Sequence, residues 1–160
     1  MNKVLVLDPA KCTGCRSCEV ACSTVKTGEA NPYTSRIRMV LFQDEGFFYP
    51  NVCLQCETPY CALPCPTRAL WKDRETGLVE FAEEKCVGCK LCLVACPFGA
   101  ISMLEAVSAK CDLCAGDPTC VKFCQFGALS YGEPDEISLG KRVVVADQMK
   151  QAYLEQARAG

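Results

Sequence analysis

The residues best equipped for chemistry in this chain are its cysteines, and they fall into four sets of four. These are Cys12, Cys15, Cys18 and Cys22; Cys53, Cys56, Cys61 and Cys65; Cys86, Cys89, Cys92 and Cys96; and Cys111, Cys114, Cys120 and Cys124. None of the 16 is left over. The first and third sets are spaced C-x2-C-x2-C-x3-C, while the second and fourth open the middle gap to C-x2-C-x4-C-x3-C and C-x2-C-x5-C-x3-C. A regular motif followed by an expanded one therefore occurs twice, which is an internal repeat. Thiols at such density serve as disulfides or as soft metal ligands. Disulfides suit a secreted chain, and the opening MNKVLVLDPAKC shows no charged n-region, apolar h-region, cleavage site or twin-Arg pair. A reducing cytoplasm is expected, and with it metal. Zinc would need two cysteines and then a separate second pair, whereas here a third follows at once and leaves no room for independent tetrahedra.

The regular spacing matches bacterial ferredoxin ligation, in which three cysteines hold one 4Fe-4S cube and the fourth reaches another. Three thiolates on a tight loop can cap three corners of a cube. A fourth on the helix that follows points away and must serve a neighbour, so clusters are expected in pairs. Proline follows the fourth cysteine in Cys65-Pro66 and Cys96-Pro97, but the other sets continue as Cys22-Ser23 and Cys124-Gln125. This pattern suggests that the second and third motifs make one unit and that the first and fourth close around it. Gly14 and Gly88 occupy the C-x-G-C of the regular motifs, where a residue without Cβ lets backbone N–H groups come close to inorganic sulfide or simply makes a turn. Lys11, Lys85 and Lys110 directly precede three of the sets, either as cations that raise a cluster's potential or as solvated loop residues.

The stretches CLQCETPYCALPCPTRAL, KCVGCKLCLVACPFGAI and KCDLCAGDPTCVKFCQFGAL resemble the four-cluster ferredoxin subunits of molybdenum and tungsten enzymes of the DMSO reductase and aldehyde oxidoreductase types. The chain departs from that family in having no Pro after Cys124, a short fourth motif and no export signal or anchor, which points away from periplasmic respiratory complexes and towards a soluble one, and its compact size is most similar to the small subunit of cytoplasmic tungsten aldehyde oxidoreductases. The resemblance implies a ligand set motif by motif. Cys12, Cys15 and Cys18 would share a cluster with Cys124, and Cys111, Cys114 and Cys120 one with Cys22. Cys53, Cys56 and Cys61 would share one with Cys96, and Cys86, Cys89 and Cys92 one with Cys65. It also implies four 4Fe-4S clusters and no catalytic site. The expected partner is a large pterin-containing catalytic subunit, with a flavin- or NAD-linked subunit or another copy of this chain as further partners. A free polyferredoxin shuttling between enzymes is the alternative, as is a metal-binding maturation or interaction module without electron transfer.

Composition narrows the field from the other side. The 160 residues contain no His, which excludes His-ligated haem, Cys/His zinc fingers and imidazole catalysis. A net charge of -2 without a basic block argues against nucleic acid, and no apolar run reaches a membrane span. The elements needed to position the loops are few and short. Strands are expected in KVLVLD, RIRMVLF, ALWKD and GLVEF, the last two as a hairpin, and GAISMLE and GALSYGE are expected as returning strands of two βαβ-type units. A short helix should carry or follow each fourth cysteine, as in SCEVACSTVK, and Trp71 should pack in the core near a cluster face. The fold class is α+β: residues 1–52 with 97–140 form an outer bicluster ferredoxin-like unit, 53–96 an inner one, and 141–160 a helical tail. Pro134 and Gly140 are read as irregular chain, with a helix from about Asp147. Its stripe of Met149, Ala152, Tyr153 and Ala157 either closes over the core or docks on a partner.

Overall fold

A computed structural model describes the backbone of residues 3–159 and the side chains of those residues except 152, 153 and 156–159. The chain divides into Leu5–Ser130 and a second unit of Met1–Val4 with Tyr131–Gly160. All sixteen cysteines lie in the first. Its elements are short, and helices and strands are mixed as expected.

The strands are β1 (Val4–Leu7), β2 (Arg38–Phe42), β3 (Phe47–Asn51), β4 (Leu70–Lys72), β5 (Val79–Phe81), β6 (Ile101–Leu104), β7 (Val107–Lys110) and β8 (Leu129–Gly132). Among the described residues they pair as four two-stranded sheets, β1 with β8, β2 with β3, β4 with β5 and β6 with β7. Three are antiparallel hairpins, with Arg38 opposite Asn51, Leu70 opposite Phe81 and Ile101 opposite Lys110. Where β1 ends and β8 begins, the Asp8 N–H donates to the Ala128 carbonyl at 2.8 Å.

β6 is not the returning strand of a βαβ unit but half of a hairpin with β7, a strand that was not expected. Only Glu105 and Ala106 separate the two, and a parallel pair needs a crossover of about a dozen residues. β3 was likewise not foreseen. Helix α1 (Ser17–Thr27) carries the fourth cysteine of its set, Cys22, as expected, but α2 (Leu91–Ala95) and α3 (Thr119–Lys122) carry the third, Cys92 and Cys120, and end before Cys96 and Cys124, and the second set turns instead of coiling into a helix. Pro64 and Pro66, which lack N–H donors, flank Cys65 there. Trp71 is not core: on β4 the neighbouring Leu70 points inward, and Trp71 is 41% exposed with the Lys85 ammonium 5.7 Å from its ring.

The buried apolar cluster that β4, β5 and β6 build is small, consisting of Cys61, Leu70, Val79, Cys92 and Ile101 with Ala62, Phe81 and Cys96 packed against it. In the second unit, α4 spans Pro134–Ala159, starting well before Asp147. Pro134 serves as the first helical residue, where its missing N–H costs nothing, and Asp135 and Glu136 complement the dipole of the first turn. Gly140 is carried inside the helix at a cost of about 1 kcal/mol. Met149 is exposed, and Ala152, Tyr153 and Ala157 lie outside the described residues. Among the described residues no helix is long and apolar enough to cross a membrane.

Candidate metal centres

The ligand loops share a backbone signature. The second of the two residues between the first two cysteines of every set is left-handed: Gly14 (φ 70°), Gln55 (φ 52°), Gly88 (φ 67°) and Leu113 (φ 53°). In the two regular motifs a second left-handed residue, Arg16 (φ 62°) or Lys90 (φ 64°), precedes the helix that carries the third cysteine. Three residues after the fourth cysteine the pattern recurs at Arg68, Gly99 and Gly127. That turn brings the next N–H back onto sulfur, Ala69 to Cys65 Sγ at 3.2 Å and Ala100 to Cys96 Sγ at 3.4 Å. Alternation of right- and left-handed residues gathers N–H groups into concavities that hold anions. Each non-glycine residue in this region costs about 1–2 kcal/mol, and seven of the eight lie in or beside the motifs, the exception being Glu105. Gly14 and Gly88 also have a packing reason that was not apparent in the sequence. A Cβ on Gly14 would meet the Phe48 ring at 2.8 Å, and one on Gly88 the Ala106 carbonyl oxygen at 2.4 Å.

Residues far apart in sequence meet around two cavities. One is lined by Cys12, Cys15 and Cys18 together with Cys124, and closed by Met39, Pro50, Phe123 and Phe126. The other is lined by Cys111, Cys114 and Cys120 together with Cys22. The space between the lining atoms, open solvent included, is about 320 Å³ in each. Helix α1 supplies Cys18 to the first cavity and Cys22 to the second, and it packs against α3, which supplies Cys120. Burial pushes the Cys18 thiol up to about 12, with the Glu19 charge adding to it. Burial also raises Cys120, and the charges of Cys111, Cys22, Cys114 and Cys18 raise it further. The rim of the second cavity is cationic, because Lys26 and Arg36 both contact Asp112, at 2.8 and 3.1 Å. Burial alone would push the Asp112 carboxyl up. Hydrogen bonds from Lys26 and from the Cys114 N–H, together with the charges of Lys26 and Arg36, instead hold it below the usual carboxylate range.

The middle sets also come together. Burial pushes the Cys53 thiol up, opposed by the Lys110 ammonium and the Gln55 N–H and reinforced by Cys56 and Cys96. It raises Cys61 to about 11, with Cys53 and Cys96 as the nearest charges. Cys53 and Cys61 thus both feel the charge of Cys96. Ser108 on β7 lies 3.0 Å from Cys92 Sγ and 3.9 Å from Cys86 Sγ. Burial would raise the Cys86 thiol, but hydrogen bonds from Ser108 and from the Gly88 N–H bring it below its ordinary value, with Cys65 close enough to oppose them. Cys89 is exposed, as is Cys15.

The 4Fe-4S dicluster domain family model matches residues 44–134, a stretch that holds the second, third and fourth sets. The chain belongs to that family. It is 38% identical over 109 residues to Electron transport protein HydN of Escherichia coli (strain K12), across 65% of this chain and 61% of that protein. It is 44% identical over 113 residues to the Aliphatic sulfonate oxidoreductase, polyferredoxin-like subunit, of Pyrococcus furiosus, across 68% of this chain and 64% of that one. The chain therefore spans less than two thirds of either relative. Among solved structures, a chain of the active site complex BamBC of benzoyl coenzyme A reductase with benzoyl-CoA matches at a TM-score of 0.47 and 26% identity, covering 92% of this chain and 96% of that one.

The cysteines of this dicluster-family chain fit an iron–sulfur group better than single metal ions. Tetrahedral sulfurs about 2.3 Å from one zinc would stand about 4 Å apart. Among the described residues no such convergence on one ion position occurs, and the thiols instead ring cavities. All-thiol lining, N–H concavities and nearby cations suit a polyanionic group. Gln55, Lys72, Ser108 and the Lys26–Asp112–Arg36 cluster are site residues that the sequence did not reveal. Gln55 and Lys72 stand beside motif residues, but their partners lie across the fold: Lys72 Nζ donates to the Gln55 and Cys56 carbonyls at 3.0 and 3.1 Å.

Proposed function

We propose that this chain is an electron-transfer subunit that holds four 4Fe-4S clusters in a row. It passes single electrons between a catalytic redox subunit, of the tungsten or molybdenum pterin aldehyde oxidoreductase type, and another donor or acceptor subunit. The observation that carries this reading is the meeting of Cys12, Cys15 and Cys18 with Cys124 in one cavity and of Cys111, Cys114 and Cys120 with Cys22 in another. Cys53, Cys56 and Cys61 with Cys96, and Cys86, Cys89 and Cys92 with Cys65, complete the assignment. Bound clusters of this type supply one-electron redox chemistry and no proton or group transfer.

The chain's own residues set the spacing and the wetness of the row. Helix α1, which carries Cys18 of the first set, packs on α3, which carries Cys120 of the fourth; Gln55 of the second set donates to the Cys111 carbonyl of the fourth at 2.8 Å; and Cys61 and Cys92 share the apolar cluster beneath β4 and β6. The order along the row is therefore first set, fourth set, second set, third set. Met39, Phe123 and Phe126 keep water from the first cavity, and Ile37, Val52 and Leu113 from the second. Exposed Cys15 and Cys89 mark the two ends. Beside Cys15 lies an open groove of about 710 Å³, lined by Val20, Ala21, Val25 and Phe123, which supports docking to a partner subunit over free shuttling. The likeness to a polyferredoxin-like subunit of an oxidoreductase supports the same choice. Iron and labile-sulfide assays on anaerobically prepared protein test the reading: about sixteen of each per chain are expected for four clusters. Values near eight, or zinc in place of iron, would overturn it.

A further inference from the structure

Three lysines precede cysteine sets, and the fold treats them differently. Lys11 is exposed and pairs with Asp8 at 3.1 Å, and Lys85 stands over the exposed Trp71 ring. Lys110 is 3% exposed, and among the described residues no carboxylate oxygen comes within 4.0 Å of its ammonium. Its Nζ donates to the Val79 carbonyl and, at 2.7 Å, to that of Cys111. Gln55 closes a ring around it, because its Nε2 donates to the Cys111 carbonyl and its Oε1 accepts from the Val79 N–H, both at 2.8 Å. This ring ties the second set, in whose C-x2-C loop Gln55 sits, to the fourth set, which Cys111 opens. Lys72 also reaches the second set, but it has Glu57 at 3.4 Å.

Carbonyl dipoles solvate a buried ammonium without neutralising it, and a buried cation left without counter-charge is strongly unfavourable. The negative groups within its reach are the thiolates of the two sets that it joins. We propose that Lys110 is a built-in counter-charge shared by the second and fourth cysteine sets, and that it raises the reduction potentials of the clusters bound there above those of the other two. The inference rests on the four-cluster reading. The Lys110 Nζ donates to the carbonyl of Cys111 in the fourth set, and Gln55, which stands between Cys53 and Cys56 in the second, donates to the same carbonyl, so the charge lies close to both sets. A fixed positive charge favours the more negative, reduced form of whatever the thiolates hold. In the order deduced above these are the two interior positions, so an electron admitted at either end would rest inside the chain, away from solvent.

The experiment is an EPR-monitored redox titration of the intact protein and of K110M and K110R. K110M should lower two of the four midpoint potentials by at least a tenfold change in the one-electron equilibrium, or 59 mV, and leave the other two in place. K110R should keep all four near their original values. Should K110M lose iron, K110Q takes its place, since it keeps a donor for the carbonyls without the charge. Loss of iron from both neutral variants while K110R keeps all of it would also support the proposal. Four unchanged potentials in K110M, equal shifts in all four, or K110R behaving like K110M would overturn it. Failure of the four-cluster reading would show separately, as an iron content well below sixteen in the unaltered protein.

Discussion

A glycine in a ligand loop can be fixed by backbone angle, by a neighbour or by both, and three positions here separate the cases. Gly116 is left-handed (φ 90°) with open space where a Cβ would go, Gly14 (φ 70°) faces a ring that can swing aside, and Gly88 (φ 67°) faces the Ala106 carbonyl oxygen, which belongs to the tight β6–β7 turn and cannot. Alanine at any of them incurs the left-handed penalty of about 1–2 kcal/mol, and overpacking against backbone adds about 1–3 kcal/mol more. Thermal release of iron should therefore rank G88A as most harmful, then G14A, then G116A, with about 3 kcal/mol lost in the first. G88A no worse than G116A would show that the Ala106 contact does not matter. The need for glycine was legible in the C-x-G-C motif, but not its cause, because Phe48 and Ala106 are contributed by distant hairpins. Lys110 was legible only as one of three similar lysines. Burial distinguished it, and burial depends on the fold.

Helix α1 shows what an element adds. Cys18 and Cys22 are four residues apart on one face, just over one turn and about 6 Å along the axis, so a rigid helix can present one thiol to each of two adjoining cavities. C22A should accordingly remove the same EPR component as C114A and leave the one that C15A removes, with iron falling from sixteen to about twelve. If C22A and C15A remove the same component, the exchange between motifs is wrong. Elements with a strong local signal were readable: α1 from its spacing, the β4–β5 hairpin from β-branched and aromatic residues around a turn, β1 and β2 from their apolar runs. Those misread had weak or conflicting signals. β7 is VSAK, only four residues with a single β-branched one among them, and β3 contains Pro50. In α4 a proline and a glycine that usually punctuate chain sit where a helix tolerates them, at its first residue and in its interior.

At the scale of the whole molecule, the apolar cluster found among the described residues is small beside the number of ligand loops. The buried cluster under β4 to β6 has five members, two of which are cysteines, and the other ligand loops lie around cavities. Metal bound by such loops contributes folding free energy directly, since the site does not exist in the unfolded chain. Helix α4 stands apart from this economy. It is 26 residues long, it belongs to a unit without a single cysteine, and Leu139, Val143, Val144, Val145 and Met149 on it are exposed. All the thiols and the β1–β8 pairing lie at or before Gly132. A chain ending at Gly132 should therefore retain about sixteen irons, and its thermal release of iron should match that of the full chain. A fall towards eight irons would mean instead that α4 closes over one pair of clusters, and its exposed valines would have to be reassigned to the core.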